Sequence, residues 1–330
     1  MNRYFLGALV AVLAVLLLSA CATRAPEAPQ AGSTPQAGST PQAGSTQFPV
    51  EVTPPGGQPV RVERAPQRIV SLSPSSTEVL FAIGAGGQVV AVDEQSTYPS
   101  QAPRTQLSGF TPNVEAIAGY APDLVVASND IAGVVGGLRS AGVPVLLLPS
   151  PTELSGAYTE IELLGKATGH VEQAGALVER MRGEIEQLIA DTPRPDEPLS
   201  YYHELDPTLY SANSQTFIGS IYAHFGLRNI ADGVPDPTAG YPQLSAESVL
   251  AADPDLIFLA DTECCGQDAA AVAARPGWGE LTAVREGNVV PLDDDIASRW
   301  GPRVVDLVRA VSEAVTAAVD PAAVDLPQPR

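Results

Sequence analysis

Two α/β lobes joined by a long helix are the fold this sequence predicts. Three observations point to it. Short apolar runs of strand length alternate with helix-like segments in both halves of the chain. A stretch near the middle replaces that alternation with sustained helical periodicity. A pattern from the first half, "NVEAIAGYAPDLVVAS" from Asn113, returns in the second as "SAESVLAADPDLIFLA" from Ser245.

The chain begins with a different kind of segment. Arg3 is followed by an apolar run from Tyr4 to Leu18, the layout of a secretory signal. The run is short for a membrane span. Its exit, Leu18-Ser19-Ala20-Cys21, resembles the bacterial lipoprotein cleavage box, which implies lipidation at Cys21 after removal of residues 1–20. Three copies of a six-residue unit follow, at Gln30 to Pro35, Gln36 to Pro41 and Gln42 to Gln47. They lack charge and large apolar side chains, so burial cannot offset the entropy of ordering them. Residues 21–65 are therefore expected to be a lipidated, disordered linker. A flexible coil of about 25 residues spans roughly 25–30 Å. No later apolar run is long enough for a second span.

The net charge of −20 argues against nucleic acid as a partner, because phosphates need Lys and Arg; an acidic balance also serves simply to keep an exported protein soluble. It also disfavours adsorption to an anionic membrane. With Cys21 assigned to lipid, only Cys264 and Cys265 remain, too few for a disulfide-stapled scaffold.

In the first lobe, residues 66–150, the expected buried strands are Arg68 to Leu72, Val89 to Asp93, Leu124 to Ser128 and Val145 to Leu148. Ser75-Ser76-Thr77-Glu78 fits a helix capping box between the first two. Strands alternating with helices imply a parallel sheet covered on both faces. Residues 151–192 form the connection. Ala174, Leu177, Val178, Met181, Ile185, Leu188 and Ile189 recur at steps of three and four, which predicts a helix from Val171 to Ala190, about 30 Å long. The second lobe, residues 198–319, has strands at Leu199 to Glu204, Leu256 to Ala260 and Asn288 to Leu292, and residues 320–330 are a tail. In the repeated pattern, Glu115 and Glu247 stand at equivalent places before Pro122 and Pro254.

"RIVSLSPSSTEVLFAIGAG", the two repeated segments and "NVVPLDDDIASRWGPRVVD" together resemble the helical-backbone substrate-binding proteins of ABC importers for vitamin B12, haem and iron–siderophore complexes. The resemblance covers residues 66 to about 318 and is strongest to the cobalamin-binding type. It implies two Rossmann-like lobes, a ligand cleft between them and a rigid connecting helix that allows little closure. It further implies an exported, lipid-anchored, monomeric receptor without catalysis, whose partners are a permease and its ATPase. The ligand would be a small metal chelate: cobalamin or cobinamide, or alternatively haem or a ferric siderophore. No cofactor of the protein's own is expected. Glu115 and Glu247 fall where the family presents one docking glutamate per lobe to the permease; an acidic residue in a helix's first turn is also favoured by the helix dipole alone, by ~0.3–1 kcal/mol.

Loops at strand ends should line the cleft. On the first lobe these carry Ser73, Tyr98, Phe110, Asn129 and Asp130. On the second they carry His203, Tyr241, Cys264, Cys265, Arg299 and Trp300. Tyr98, Tyr241 and Trp300 suit a flat ring ligand. Tyr241 stands where the cobalamin protein has an aromatic at the cleft mouth. His203 in "YYHELDPT" is an axial-ligand candidate for cobalt or iron, or a structural histidine. For haem, Tyr201 and Tyr202 would serve as well. No metal site made by the chain alone is expected from three scattered histidines. Cys264-Cys265 reads as a vicinal disulfide knuckle or as two small thiols. Arg299 could grip a carboxylate or phosphate bidentately, or pair with Asp293, Asp294 or Asp295. An exported hydrolase using His203 with Glu204 or Asp206 lacks a nucleophile, and a sensor or adhesin could use the same cleft.

Overall fold

The computed structural model describes residues 47–320, apart from 236, 237 and 239. The signal segment, Cys21, the repeats through 46 and the tail beyond 320 lie outside the described residues. The linker expected through residue 65 ends earlier than that. β1 (Val50–Val52) and β2 (Val60–Val62) pair antiparallel, with Val50 opposite Val62. Their four valines alternate with exposed residues, and period two is the strand period. The buried face packs on the central core, and that burial holds the hairpin in place.

The first lobe runs β3 (Ile69–Leu72), α1 (Pro74–Ala82), β4 (Val89–Val92), α2 (Val114–Ala118), β5 (Leu124–Ala127), α3 (Val134–Ser140) and β6 (Val145–Leu147). The helix α1 starts before the capping box read from Ser75 to Glu78. Ser73 is the N-cap, its Oγ accepting from the Ser76 amide at 3.3 Å, and Pro74 occupies the first turn. Ser75 and Glu78 are thus buried inside the helix. Two helices connect the lobes, α4 (Leu154–Thr168) and α5 (Val171–Asp191), with Gly169 in the left-handed conformation between them. The expected long helix matches α5 to within one residue. Its stripe of Ala174, Leu177, Val178, Met181 and Ile185 is buried, each large side chain contributing ~1.5–3 kcal/mol.

The second lobe runs β7 (Ser200–Glu204), α6 (Phe217–Ala223), β8 (Arg228–Asn229), α7 (Ala246–Ala252), β9 (Leu256–Leu259), α8 (Thr262–Cys265), α9 (Ala269–Ala273), α10 (Thr282–Arg285), β10 (Val289–Pro291), α11 (Asp294–Ala297) and α12 (Val304–Val319). Both sheets are parallel. Their strand orders are β4-β3-β5-β6 and β10-β9-β7-β8. Numbered within each lobe, both are second-first-third-fourth, so the repeat seen in sequence extends to topology. The outer face of each sheet has its own apolar cluster. The inner faces share one cluster running from Ile69 through Ile161 and Met181 to Phe258 and Val311.

Candidate functional site

In open α/β sheets, ligands bind beyond the carboxyl ends of the strands, where the strand order reverses. In the first lobe that point lies between β3 and β5. A cavity of ≈ 380 Å³ opens there, at the small end of the range for ligand sites. Ser73, Phe110 and Asn129 line it from the first lobe, and Arg299 and Trp300 from the second. The structure therefore brings together five of the sequence-derived candidates. Phe110 is 67% exposed, an apolar surface available at the lip. Asn129 Nδ2 donates to the Gly109 carbonyl at 3.3 Å, while its Oδ1 accepts from the Ile131 amide at 3.2 Å. Asp130 Oδ1 accepts from the Val135 amide in the first turn of α3 at 2.9 Å, and Asp130 is not in the lining.

Asp93 is among the lining residues that were not singled out in the sequence. It ends the β4 run and is 2% exposed. Its Oδ1 accepts from the Gln95 amide at 2.8 Å, and Oδ2 has no hydrogen-bond partner. Burial raises its pKa to about 6 against the backbone amides and the Arg299 charge that lower it. Only the meeting of the β4 end with the loop at Gly109 marks it out.

Arg299 is not a free ligand grip. It donates to Glu78 Oε1 at 3.1 Å and to the Gln95 carbonyl at 2.9 Å, and it pairs with Asp295. Arg303 donates to both Glu78 oxygens, at 3.0 and 2.7 Å. The Glu78 side chain is 1% exposed. Thr97 Oγ1 donates to Asp295 from the first lobe at 3.1 Å. Trp300 donates its amide to Ser75 Oγ and its indole Nε1 to Glu160 Oε2 on α4 at 2.9 Å. Burial raises the Glu160 pKa to about 8, so it is a neutral acid at neutral pH. The segment from Asp295 to Arg303 is thus a clasp across the lobes, with Trp300 fixed as cleft floor.

The corresponding reversal in the second lobe, between β7 and β9, is filled. Glu204 there is fully buried and receives two bonds from Arg275, at 2.6 and 2.5 Å. Asp261 is buried alongside, its pKa raised first by burial and then by the Glu204 charge. His203 is also fully buried, and this corrects its reading as an axial ligand. Its Nδ1 is 2.8 Å from the Tyr222 hydroxyl, and desolvation lowers its pKa to about 3. Tyr201 and Tyr202 are equally enclosed. The reason is position: β7 is an inner strand of its sheet, covered on both faces to its last residue. His203 and Glu204 face opposite sides of the sheet, and Asp206 is tied to Thr208, so no hydrolytic constellation forms.

Tyr241, 36% exposed, and the cysteine pair lie outside the cavity lining. Cys264 and Cys265 form a vicinal disulfide on exposed α8, not two buried thiols. Asp294 holds α8 by accepting from the amides of Thr262, Glu263 and Cys264. Tyr98 is also outside the cavity. Its ring lies 4.3 Å from the Arg303 guanidinium, in a separate groove of ≈ 700 Å³ bordered by α1, α5 and α12. Glu115 and Glu247 are exposed in the first turns of α2 and α7, helices that precede the third strand of each lobe. Asn113 and Ser245 cap those helices, as the repeat implies. Among the described residues no group of three or more His, Cys, Asp or Glu could hold a metal ion, and no helix is long and apolar enough to cross a membrane.

Comparison with known proteins adds the following. A family model described as periplasmic binding protein matches residues 69–296. An uncharacterised ABC transporter substrate-binding lipoprotein of Bacillus subtilis is 32% identical over 277 residues, covering 81% of this chain and 86% of that one. A cobalamin-binding protein of Halobacterium salinarum is 32% identical over 276 residues, covering 81% and 74%. Among solved structures, a periplasmic haem-binding protein from Roseiflexus in apo form aligns with a TM-score of 0.69 at 25% identity, covering 77% of this chain and 100% of that one.

Proposed function

This chain belongs to the periplasmic binding protein family, and from that premise we propose that it is the extracytoplasmic, lipid-anchored receptor of an ABC importer, capturing a corrinoid and passing it to the permease and ATPase. The observation that carries the receptor reading is the cavity between two lobes of identical strand order, at the carboxyl ends of the strands. The corrinoid reading is supported by the cobalamin-binding relative. In this proposal the chain binds without catalysis. Ser73, Phe110, Asn129 and Trp300 contact the ligand from the cavity wall. Tyr241 and the Cys264–Cys265 knuckle meet it from the second-lobe rim. Glu115 and Glu247 dock on the permease, one per lobe, and their equivalent places in the repeat support that role. The leader and Cys21 supply the tether.

A second reading, haem as ligand, is favoured by the likeness to the Roseiflexus protein. The test is titration of the purified chain with hydroxocobalamin, cobinamide, hemin and ferric siderophores, read by absorbance and native mass spectrometry. Tight one-to-one corrinoid binding is expected. Tight hemin or siderophore binding in its place would keep the receptor and overturn the ligand. Binding of none of them, in oxidised or reduced protein, would overturn the receptor itself.

A further inference from the structure

The cavity wall has no unpaired positive charge among its described residues. Arg299 is the only cation lining it, and three acceptors already hold it: Glu78, the Gln95 carbonyl and Asp295. Arg303 shares the same Glu78 and lies in the other groove. In the second lobe, Arg275 is bound to Glu204 and Gln267. At the end of α1 on this wall, two of the first backbone positions have no donor to give. Pro74 has no N–H, and the Ser76 amide is taken by Ser73.

Against these closed cations stand two carboxyls in the lining, Asp93 and Asp295. The Oδ2 of Asp93 is without a donor. It lies beneath Gly109, where a Cβ would sit 3.6 Å from it and 2.9 Å from the Leu72 carbonyl. A side chain there would collide with the backbone, so this part of the wall stays bare over an acceptor. The whole chain adds a net charge of −20. Like charges brought together on binding act as selection against a partner.

We infer that the cleft selects a macrocycle whose periphery carries uncharged carboxamide arms over one bearing free carboxylates, with Asp93 as a specificity-determining residue. This rests on the receptor reading above and sharpens it, because haem carries propionates and a corrinoid carries mostly amides. A carboxamide donates to an acceptor-rich wall and accepts from Asn129 or a serine. A carboxylate in the same place has no free cation to meet and stands beside Asp93.

The experiment compares two matched pairs by calorimetric titration at low salt. One pair is cyanocobalamin and its monocarboxylic acids, in which one peripheral amide is hydrolysed. The other is hemin dimethyl ester and hemin. In each pair the member without free carboxylates should bind more tightly, on the order of ten-fold for each carboxylate brought near another negative charge at low salt. The gap should shrink as salt is raised and should narrow in Asp93→Asn, which keeps the acceptor for the Gln95 amide. Equal or tighter binding of the carboxylate member in the pair that binds would overturn the inference and leave the receptor standing. A gap unchanged in folded Asp93→Asn, checked by circular dichroism, would remove Asp93 as its source. If no member of either pair binds, this inference falls, and the ferric siderophores in the titration above decide whether the receptor reading stands.

Discussion

Glu78 is the residue on which the two-lobed arrangement depends most directly. Glu78→Gln keeps its size and removes its charge. The side chain is 1% exposed and accepts three hydrogen bonds, from Arg299 at 3.1 Å and from Arg303 at 3.0 and 2.7 Å. Without that charge, Arg299 keeps Gln95 and Asp295, and Arg303 keeps Asp295 at 3.9 Å and the Tyr98 ring. Removing one member of a buried ion pair costs ~3–5 kcal/mol, and the remaining partners put the expectation at the lower end, about 3 kcal/mol. For a protein of this size that is a fall in Tm of roughly 6–12 °C. Thermal unfolding followed by circular dichroism at pH 7 measures it. The same variant should bind its ligand more weakly, since Arg299 and Trp300 belong to the clasp and to the cleft wall together. A Tm within about 2 °C of the parent would refute the reasoning, because it would mean that the clasp is solvated and carries no net stabilisation.

Two more outcomes follow from buried groups and a third from the two exposed glutamates. Glu160 has a folded pKa near 8 against an ordinary 4.5, so the folded state holds a proton that the unfolded state releases between those values. Stability should fall as pH rises from about 4.5 to about 8 and level off above, and Glu160→Gln, which keeps an acceptor for Trp300, should flatten that slope in urea titrations across the range. His203 shows the opposite sign: with a folded pKa near 3 against 6.5, its contribution is lost as pH falls from about 6.5 to about 3. His203→Ala should cost ~2–4 kcal/mol by cavity formation and an orphaned Tyr222 hydroxyl, with no change in the absorption spectrum of a bound corrinoid; a spectral change typical of a lost axial ligand would contradict its burial. Glu115→Arg combined with Glu247→Arg should leave ligand affinity intact and abolish uptake in a reconstituted importer, and normal uptake would end the docking proposal.

Much of the fold could be read directly because the strands are apolar on both faces. Ile69–Leu72, Leu124–Ala127 and Leu256–Leu259 are fully buried runs bounded by turn residues, and each was found within a residue or so. The two-residue β8 and the hairpin of β1 and β2 were not found. β8 is too short to show a period, and the hairpin's four valines are separated by a proline- and glycine-rich turn that reads as linker. The candidate site was less legible. Ser73, Phe110 and Asn129 follow from a simple rule, that loops at strand ends face the ligand. Tyr98 obeys the same rule and yet turns to Arg303, because a cation at the N-cap of α12 meets its ring.

By itself the sequence determined what depends on local order: the six-residue repeats, the apolar strands, the amphipathic α5, and the matched glutamates of two similar halves. Period, capping and composition are properties of neighbours in the chain, and they need no fold to be read. Charge pairing and burial depend on residues far apart in sequence. Glu78 and Arg299 are separated by 221 positions, and nothing near either one announces the bond. His203 ends a strand in a sequence that looks like a cleft edge, and the sheet's second face closes over it. Only the tertiary structure could decide that the arginine is held, the histidine enclosed and Asp93 brought to the wall, since each is settled by which distant residues pack against it.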